Sequence, residues 1–164
     1  MVDIMKIVFL CSGNTCRSPM AEAIFKKMIN EDGVSLSDSK DKIDISSAGF
    51  STYSGEEIEE KAIIVCRKHD IDISNYKTTN IRDIDFNTID LVLIATVDNR
   101  EKIKKFYPNL NAYTIKEYSG LYEDLDIKDP SDGGLGDYVV CYFEIKEALE
   151  NIIKTQKKFE KNQI

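Results

Sequence analysis

The sequence has no cluster of basic residues, and acidic side chains are in excess. It contains 22 Lys and Arg residues against 29 Asp and Glu residues, which gives a formal net charge of −7. Nucleic-acid-binding domains present a basic patch, and anionic membrane surfaces also attract positive charge. We therefore expect neither nucleic acid nor a membrane to be a main partner of this chain.

Long apolar runs and a disulfide framework are also lacking. No apolar segment approaches the length of a membrane span, and the N-terminus has no signal-peptide pattern. The four cysteines have none of the spacings of a disulfide framework, which favours a reducing, cytoplasmic location. No internal repeat, linker or low-complexity segment interrupts the chain, so we predict a single domain over residues 1–164.

The most informative segment is Val8–Glu22, whose sequence is VFLCSGNTCRSPMAE. Ile7–Leu10 is short and fully apolar, as expected of a buried parallel strand. Ser18 and Pro19 are typical of the N-cap and first turn of a helix. The segment between them, residues 11–17, is called the Cys11 loop below. Converging backbone N–H groups in such a loop, together with the helix N-terminus, predict an anion-binding site.

Each residue type in the Cys11 loop suits chemistry at phosphorus. Amide dipoles would stabilise the thiolate of Cys11 as a nucleophile, and the planar fork of Arg17 would hold phosphoryl oxygens. Gly13 and Asn14 tolerate the backbone angles that a tight loop requires. The Ser18 hydroxyl would donate to the Cys11 sulfur. The alternative is a core strand followed by an ordinary capped helix, because a Cys-x5-Arg pattern by itself is weakly specific.

The rest of the chain alternates predicted strands and helices, which favours right-handed crossovers and a parallel sheet. The further strands are predicted over Ile43–Ala48, Asp90–Ala95 and Ala112–Ile115, and the helices over Glu56–Lys68, from Thr96 to Phe106, and from Asp137 to about Lys158. Asn30–Lys42 is expected to be polar and turn-rich, and His69 to be a solvent-exposed residue at a helix end. In such a sheet a ligand site lies beyond the carboxyl ends of the strands, where the Cys11 loop is expected.

Residues Cys11–Glu22 resemble the phosphate-binding loop of the low-molecular-weight protein tyrosine phosphatase family, and Asp129–Pro130 resembles its general-acid loop. Weaker similarity extends along the chain. The resemblance implies an α/β three-layer sandwich, in which a four-stranded parallel sheet has helices on both faces. It also implies hydrolysis of phosphoproteins through a cysteinyl-phosphate intermediate, with no metal and no cofactor. We expect a monomer that phosphate or other oxyanions would inhibit. The implied catalytic residues are Cys11, Arg17 and Asp129; the implied substrate-binding residues are Ser12, Gly13, Asn14, Thr15, Cys16 and Ser18.

The predicted general acid lies in a long acidic loop, residues 119–136. Asp129 precedes a proline, which biases it towards an extended conformation and would hold its carboxyl group over the Cys11 loop. Asp126 and Asp132 are nearby, but only Asp129 matches the pattern of the family. Without the Cys11 loop, Asp-Pro would be read as ordinary turn chemistry.

Two neighbouring segments are predicted to border the site. In the family a loop like Gly49–Gly55 lies beside the active site, so Tyr53 or Phe50 is expected to form a pocket wall; a half-buried surface aromatic is the alternative. Ser46 or Ser47 is expected to hydrogen-bond the Cys11 loop from beneath.

The substrate is predicted to be phosphoarginine rather than phosphotyrosine. A bulky aliphatic residue is usual in the tyrosine phosphatases where this chain has Thr15, and a threonine there resembles the protein-arginine phosphatases. Ala95-Thr96 and Thr114–Tyr118 also resemble that branch. Ser131 and Asp132 depart from both, because they replace the aromatic residues that follow the general acid, and Asp132 is expected to contact a guanidinium instead.

The sequence fits two other functions less well, those of an arsenate reductase and of a phosphoprotein-binding module. A thiol-linked arsenate reductase would need resolving cysteines on a mobile segment, whereas Cys66 and Cys141 lie on predicted helix faces. A phosphoprotein-binding module would bind without turnover, and the complete set of Cys11, Arg17 and Asp129 favours an enzyme.

Cys16 lies close to Cys11 in the curled loop, and we predict a reversible disulfide between them that protects the nucleophile from over-oxidation. Cys16→Ser should therefore make peroxide inactivation harder to reverse with thiol. The measurement is the activity recovered after peroxide and then dithiothreitol, with the wild type as reference. Equal recovery in the two proteins would reject the disulfide.

Overall fold

The computed structural model describes residues 4–32 and 42–162. Its four strands are parallel and form one sheet in the order β2-β1-β3-β4. The strands are β1 (Ile4–Cys11), β2 (Lys42–Gly49), β3 (Leu91–Ile94) and β4 (Ala112–Thr114). In the sheet register Cys11 lies opposite Gly49, and Leu10 lies opposite Ile94. The carboxyl ends of β1, β2 and β3 therefore meet at the edge of the sheet where the Cys11 loop begins.

Helices cover both faces of this sheet, which confirms the predicted three-layer α/β sandwich. The helices are α1 (Arg17–Asp32), α2 (Glu60–Arg67), α3 (Val97–Phe106), α4 (Ile115–Ser119) and α5 (Leu135–Asn162). Because strand side chains alternate between faces, β1 contributes to two separate cores. Ile7 and Phe9 pack with α1, α2 and α5, whereas Val8 and Leu10 pack with α3 through Ile103.

The structure moves several predicted boundaries for local reasons. The second helix begins at Glu60 rather than Glu56, because Glu56 N–H donates to the hydroxyl of Thr78 and Glu57 forms an antiparallel bridge with Lys77. The final helix begins at Leu135, two residues earlier than predicted. Ser18 lies inside α1, which begins at Arg17, so its hydroxyl is not an N-cap. The predicted turn-rich segment at residues 30–42 lies largely outside the described residues.

Helix α4 was not predicted, and Ile115 was wrongly assigned to the fourth strand. Thr114 ends β4 and caps α4: its hydroxyl accepts a hydrogen bond from Glu117 N–H, while the Glu117 carboxylate accepts one from Thr114 N–H. This capping box makes the strand turn directly into a helix. His69 also differs from its prediction, since it is half-buried and its ring stacks on Tyr142 at a centroid distance of 4.2 Å.

Helix α5 is 28 residues long and closes one face of the sheet. Its apolar face lies in the core, where Tyr138, Cys141, Ile145, Ala148 and Ile152 are all buried. Neither α5 nor another helix in the described ranges combines the length and the apolar character needed to cross a membrane.

Candidate active site

The Cys11 loop joins the end of β1 to the start of α1 and curls around the sulfur of Cys11. Cys11 is buried, and its Sγ lies 2.9 Å from Ser18 Oγ. Asn14 N–H also donates to Sγ, at 3.2 Å. Asn14 reaches this position with a left-handed φ of 54°, which is the conformation predicted for it. Two hydrogen-bond donors therefore surround the sulfur, as stabilisation of a thiolate requires.

The amide side chain of Asn14 holds the loop in this curl. Its Nδ2 donates to Ser18 Oγ at 2.8 Å and to Ser47 Oγ at 2.9 Å, and its Oδ1 accepts from Thr79 N–H at 2.8 Å. Since Ser18 Oγ accepts from Asn14, its own proton is free to point to Cys11 Sγ. Ser47, rather than Ser46, is the serine that contacts the loop from beneath.

A buried carboxylate extends this network. Glu22 is only 9% exposed, accepts from Ser47 Oγ at 2.8 Å and pairs with Lys26 at 2.6 Å. No role was predicted for Glu22 from the sequence. Glu22 lies four residues before Lys26 on a predicted helix, a spacing that indicates an ion pair. Its contact with Ser47 in β2 has no such signal in the sequence.

Arg17 is the buried cation of the site, with 4% of its surface exposed. One terminal nitrogen donates to the carbonyl oxygen of Ile127 at 3.0 Å, while its Nε has no hydrogen-bond partner among the described residues. None of the backbone N–H groups of Gly13, Thr15 and Cys16 donates to another residue in the described part of the chain. Unpaired donors converging beside a helix N-terminus are the arrangement that binds a tetrahedral anion.

Asp129 lies beside Arg17, as the sequence predicted. Its Oδ2 is 3.6 Å from Arg17, its Oδ1 accepts from Ser131 N–H at 3.0 Å, and its side chain is 46% exposed. It is therefore close to the Cys11 loop and open to solvent. Asp126, the first alternative to Asp129 as general acid, accepts a hydrogen bond from Val97 N–H at 2.7 Å, at the first residue of α3. Asp132 is exposed and lies with Asp129 on the rim of a cavity of about 370 Å³.

Backbone contacts fix the outer side of the loop. Ser12 Oγ accepts from the buried amide of Asn99 at 3.1 Å, and its carbonyl accepts from Ser51 N–H at 2.8 Å. The carbonyl of Thr15 accepts a hydrogen bond from Glu59 N–H at 3.0 Å, and the side chain of Thr15 is partly buried. Asn99, Glu59 and Thr79 were not predicted to contact the loop. The last two act through backbone atoms, so no side-chain pattern could reveal them.

Cys16, Cys66 and Cys141 are buried and free. Burial raises the pKa of Cys16 to about 12, with a further contribution from the neighbouring Cys11, and burial alone raises the pKa of Cys66 to about 12. Burial likewise raises the pKa of Cys141. Cys16 is thus almost fully protonated at neutral pH, so its attack on an oxidised Cys11 is expected to be slow.

Gly49 supports the loop through its lack of a side chain. A Cβ atom at this position would lie 2.8 Å from Asn14 N and 2.9 Å from Gly13 C, both backbone atoms that cannot move aside cheaply. We expect Gly49→Ala to displace the loop and reduce kcat/KM by about 100-fold, as 1 Å misplacements of reacting groups do. Steady-state kinetics with para-nitrophenyl phosphate measures this effect.

The matched control is Gly134→Ala, because no atom lies within 4 Å of a Cβ at Gly134. It should retain the wild-type rate. A Gly49→Ala protein with a normal rate would show that the loop tolerates displacement.

Comparison with known proteins agrees with this geometry. The sequence profile of the family described as low molecular weight phosphotyrosine protein phosphatase matches residues 6–163. The chain is 31% identical over 150 residues to a low molecular weight protein-tyrosine-phosphatase, PtpB, of Staphylococcus epidermidis, covering 90% of this chain and 96% of the relative. It is 30% identical over 158 residues to the protein-arginine-phosphatase of Bacillus subtilis, covering 94% and 98%.

Among solved structures, a variant of the arginine phosphatase YwlE with a phosphorylated active-site serine superposes with a TM-score of 0.81. It shares 27% identity with this chain, and the superposition covers 94% of this chain and 97% of the other.

Proposed function

This chain belongs to the low-molecular-weight phosphotyrosine protein phosphatase family and is a cysteine-dependent protein phosphatase; from that premise we propose that Cys11, Arg17 and Asp129 carry out hydrolysis through a cysteinyl phosphate. The observation that carries this assignment is the position of the Cys11 sulfur, which accepts hydrogen bonds beside the buried, partly unpaired Arg17. Ser12, Gly13, Asn14, Thr15, Cys16 and Ser18 would form the substrate-binding cup.

In the first step the Cys11 thiolate attacks phosphorus in line with the leaving group. The S–P bond forms as the bond from phosphorus to the substrate oxygen or nitrogen breaks, and Asp129 gives its proton to that leaving atom. Arg17 and the loop amides hold the three remaining phosphoryl oxygens through the transition state. The 3.6 Å separation of Asp129 and Arg17 supports this role for Asp129.

In the second step water attacks the cysteinyl phosphate. Asp129, now a carboxylate, takes a proton from the water, and the S–P bond breaks to release inorganic phosphate and the Cys11 thiolate. The hydrogen bonds from Ser18 and Asn14 to Sγ stabilise the departing sulfur. The phosphorylated active-site serine in the YwlE variant supports a covalent phosphoryl enzyme in this family.

Phosphoarginine is the substrate that we favour. The chain is 30% identical to a protein-arginine-phosphatase. In addition, Thr15 presents a hydroxyl group at the position where the tyrosine phosphatases of this family usually carry a bulky aliphatic side chain. The cavity beside Asp129 is also lined by three carboxylates, Asp132, Asp137 and Glu144, and by one cation, Lys128, and this excess of carboxylates suits a guanidinium. Phosphotyrosine is the second candidate, supported by the 31% identity to PtpB.

Thr15→Ile tests this choice. With matched phosphoarginine and phosphotyrosine peptides, the wild type should prefer phosphoarginine, and Thr15→Ile should reverse the ratio of kcat/KM by about 10- to 100-fold, the range that one pocket contact supplies. Released phosphate is the readout. Cys11→Ser, the control for mechanism, should release none.

A wild type that prefers phosphotyrosine, with little change in Thr15→Ile, would make this chain a tyrosine phosphatase. Turnover that survives Cys11→Ser would overturn the mechanism.

Asp129→Asn should remove general-acid catalysis. We expect kcat to fall by about 100-fold or more with a poor leaving group, and much less with an activated aryl phosphate that needs no proton. The measurement is kcat against the leaving-group pKa for a series of aryl phosphates, which should become steeper in the variant. Asp126→Asn is the matched control and should keep the wild-type slope; equal slopes in Asp129→Asn and the wild type would assign the acid elsewhere.

The functional unit that we propose is a monomer folded as a single domain over residues 1–164, because one chain supplies every residue of the site. No metal and no cofactor enters the proposed steps, and inorganic phosphate or related oxyanions would bind the cup as inhibitors. Four free cysteines favour a reducing, cytoplasmic location.

A further inference from the structure

A cavity of about 590 Å³ lies on the α3 face of the sheet, outside the Cys11 loop. It is called the aromatic groove below, and its principal lining residues are Phe50, Tyr53, Arg82, Phe86, Phe106 and Tyr107. Tyr53 is 81% exposed and Phe106 is 75% exposed. Exposed aromatic side chains gathered around one concavity are typical of a surface that binds another polypeptide.

The aromatic groove is continuous with the candidate active site. Phe50 N–H donates to the carbonyl of Cys11 at 3.3 Å, and Ser51 N–H donates to the carbonyl of Ser12 at 2.8 Å, so the residues at one end of the groove are bonded to the Cys11 loop. The other end lies at Phe106 and Tyr107, where α3 ends.

The length of the groove fits a short peptide. Asn99, near the start of α3, donates to Ser12 of the Cys11 loop, and Phe106 at the end of the helix lines the groove. The 10 residues of α3 span about 15 Å, so the distance from the loop to the far end of the groove corresponds to about four or five residues of an extended chain. A polypeptide whose phosphorylated residue occupies the Cys11 loop would reach the far end of the groove over that distance.

The charge of the groove indicates the chemistry of the occupant. Arg82 is exposed, and no described residue forms a salt bridge with its guanidinium. Arginine among aromatic side chains is the composition of interface hot spots, and the guanidinium is free to pair with a carboxylate of a partner. The preferred partner segment therefore carries an aromatic residue with an acidic neighbour.

We propose that the aromatic groove binds the segment of the phosphoprotein substrate that flanks the phosphorylated residue. An aromatic side chain of that segment, about four or five positions from the phosphorylated residue, packs against Phe106 and Tyr53, and an adjacent carboxylate pairs with Arg82. This inference rests on the proposed function, since it places the phosphorylated residue at Cys11. The groove selects among phosphoproteins, while the Cys11 loop selects the phosphorylated side chain.

The test uses the full chain and peptides that carry one phosphorylated residue, of the type that the wild type hydrolyses faster. One peptide set has Phe-Asp about four positions before or after that residue, and the matched set has Ala-Ser there. Phe106→Ala should lower kcat/KM for the Phe-Asp peptide by about tenfold, mainly through KM, and Arg82→Glu should do the same. Neither variant should change turnover of the Ala-Ser peptide or of para-nitrophenyl phosphate.

Phe143→Ala is the matched control, because Phe143 is an exposed phenylalanine on α5, outside the groove. It should leave both peptides unaffected. Equal kcat/KM for the two peptide sets in the wild type, or an equal loss with both sets in Phe106→Ala, would overturn the inference.

Two further measurements separate this inference from the proposed function. Fluorescence anisotropy of labelled peptides with Cys11→Ser reports binding without turnover, and a Phe-Asp preference there supports the groove even if the catalytic assignments are wrong. Sedimentation tests the other occupant, a second copy of this chain. Dimerisation that Phe106→Ala abolishes would assign the groove to that copy and overturn the inference.

Discussion

The side chain of Asn14 is the contact on which the site depends. A loop of five residues between a strand and a helix has few ways to hold its shape, because it is too short to form a core or a hydrogen-bond ladder of its own. Asn14 adopts the left-handed conformation and bonds simultaneously to Ser18, Ser47 and the backbone of Thr79. These bonds hold Asn14 in the position from which its own N–H donates to Cys11 Sγ.

The curl of the loop also has an electrostatic consequence, because it buries the Arg17 cation beside the Cys11 sulfur. Arg17 gives up most of its hydration and regains only part of it, through Ile127 and Asp129. A buried guanidinium with an unpaired donor is costly for folding. The arrangement is favourable for function, because a phosphoryl anion then meets a cation that water does not screen. Burial also raises the pKa of Cys16 to about 12, which keeps its thiol protonated at neutral pH.

The parallel sheet brings the parts of this site together. The register of β1 with β2 sets Gly49 against the loop, at a distance that excludes any side chain. The sheet also separates two surfaces. Cys11, Arg17 and Asp129 lie at its carboxyl edge, while the α3 face carries the aromatic groove that begins at Phe50. In the functions that we propose, phosphoryl chemistry and recognition of the surrounding polypeptide use these adjoining surfaces.

The sequence alone determined the alternation of strands and helices, the location of the Cys11 loop and its anion-binding character. Those features depend on local patterns: an apolar run of strand length, Ser-Pro before an apolar helix, and Gly and Asn where a tight loop needs them. Asp129 was also identified from its proline and its family pattern. Boundaries such as the start of α2, and the short helix α4, were predicted poorly because a bridge to Lys77 and a capping box decided them.

Only the tertiary structure decided which serine supports the loop, which backbone atoms hold Asn14 and Arg17, and how Glu22, Asn99 and Gly49 take part. These contacts join residues that are far apart along the chain, such as Arg17 and Ile127, and they include carbonyl and N–H groups that every residue possesses. A backbone atom leaves no mark in the amino-acid sequence. Its role is fixed by the packing of helices on both faces of the sheet, because that packing brings distant segments within hydrogen-bond distance of the Cys11 loop.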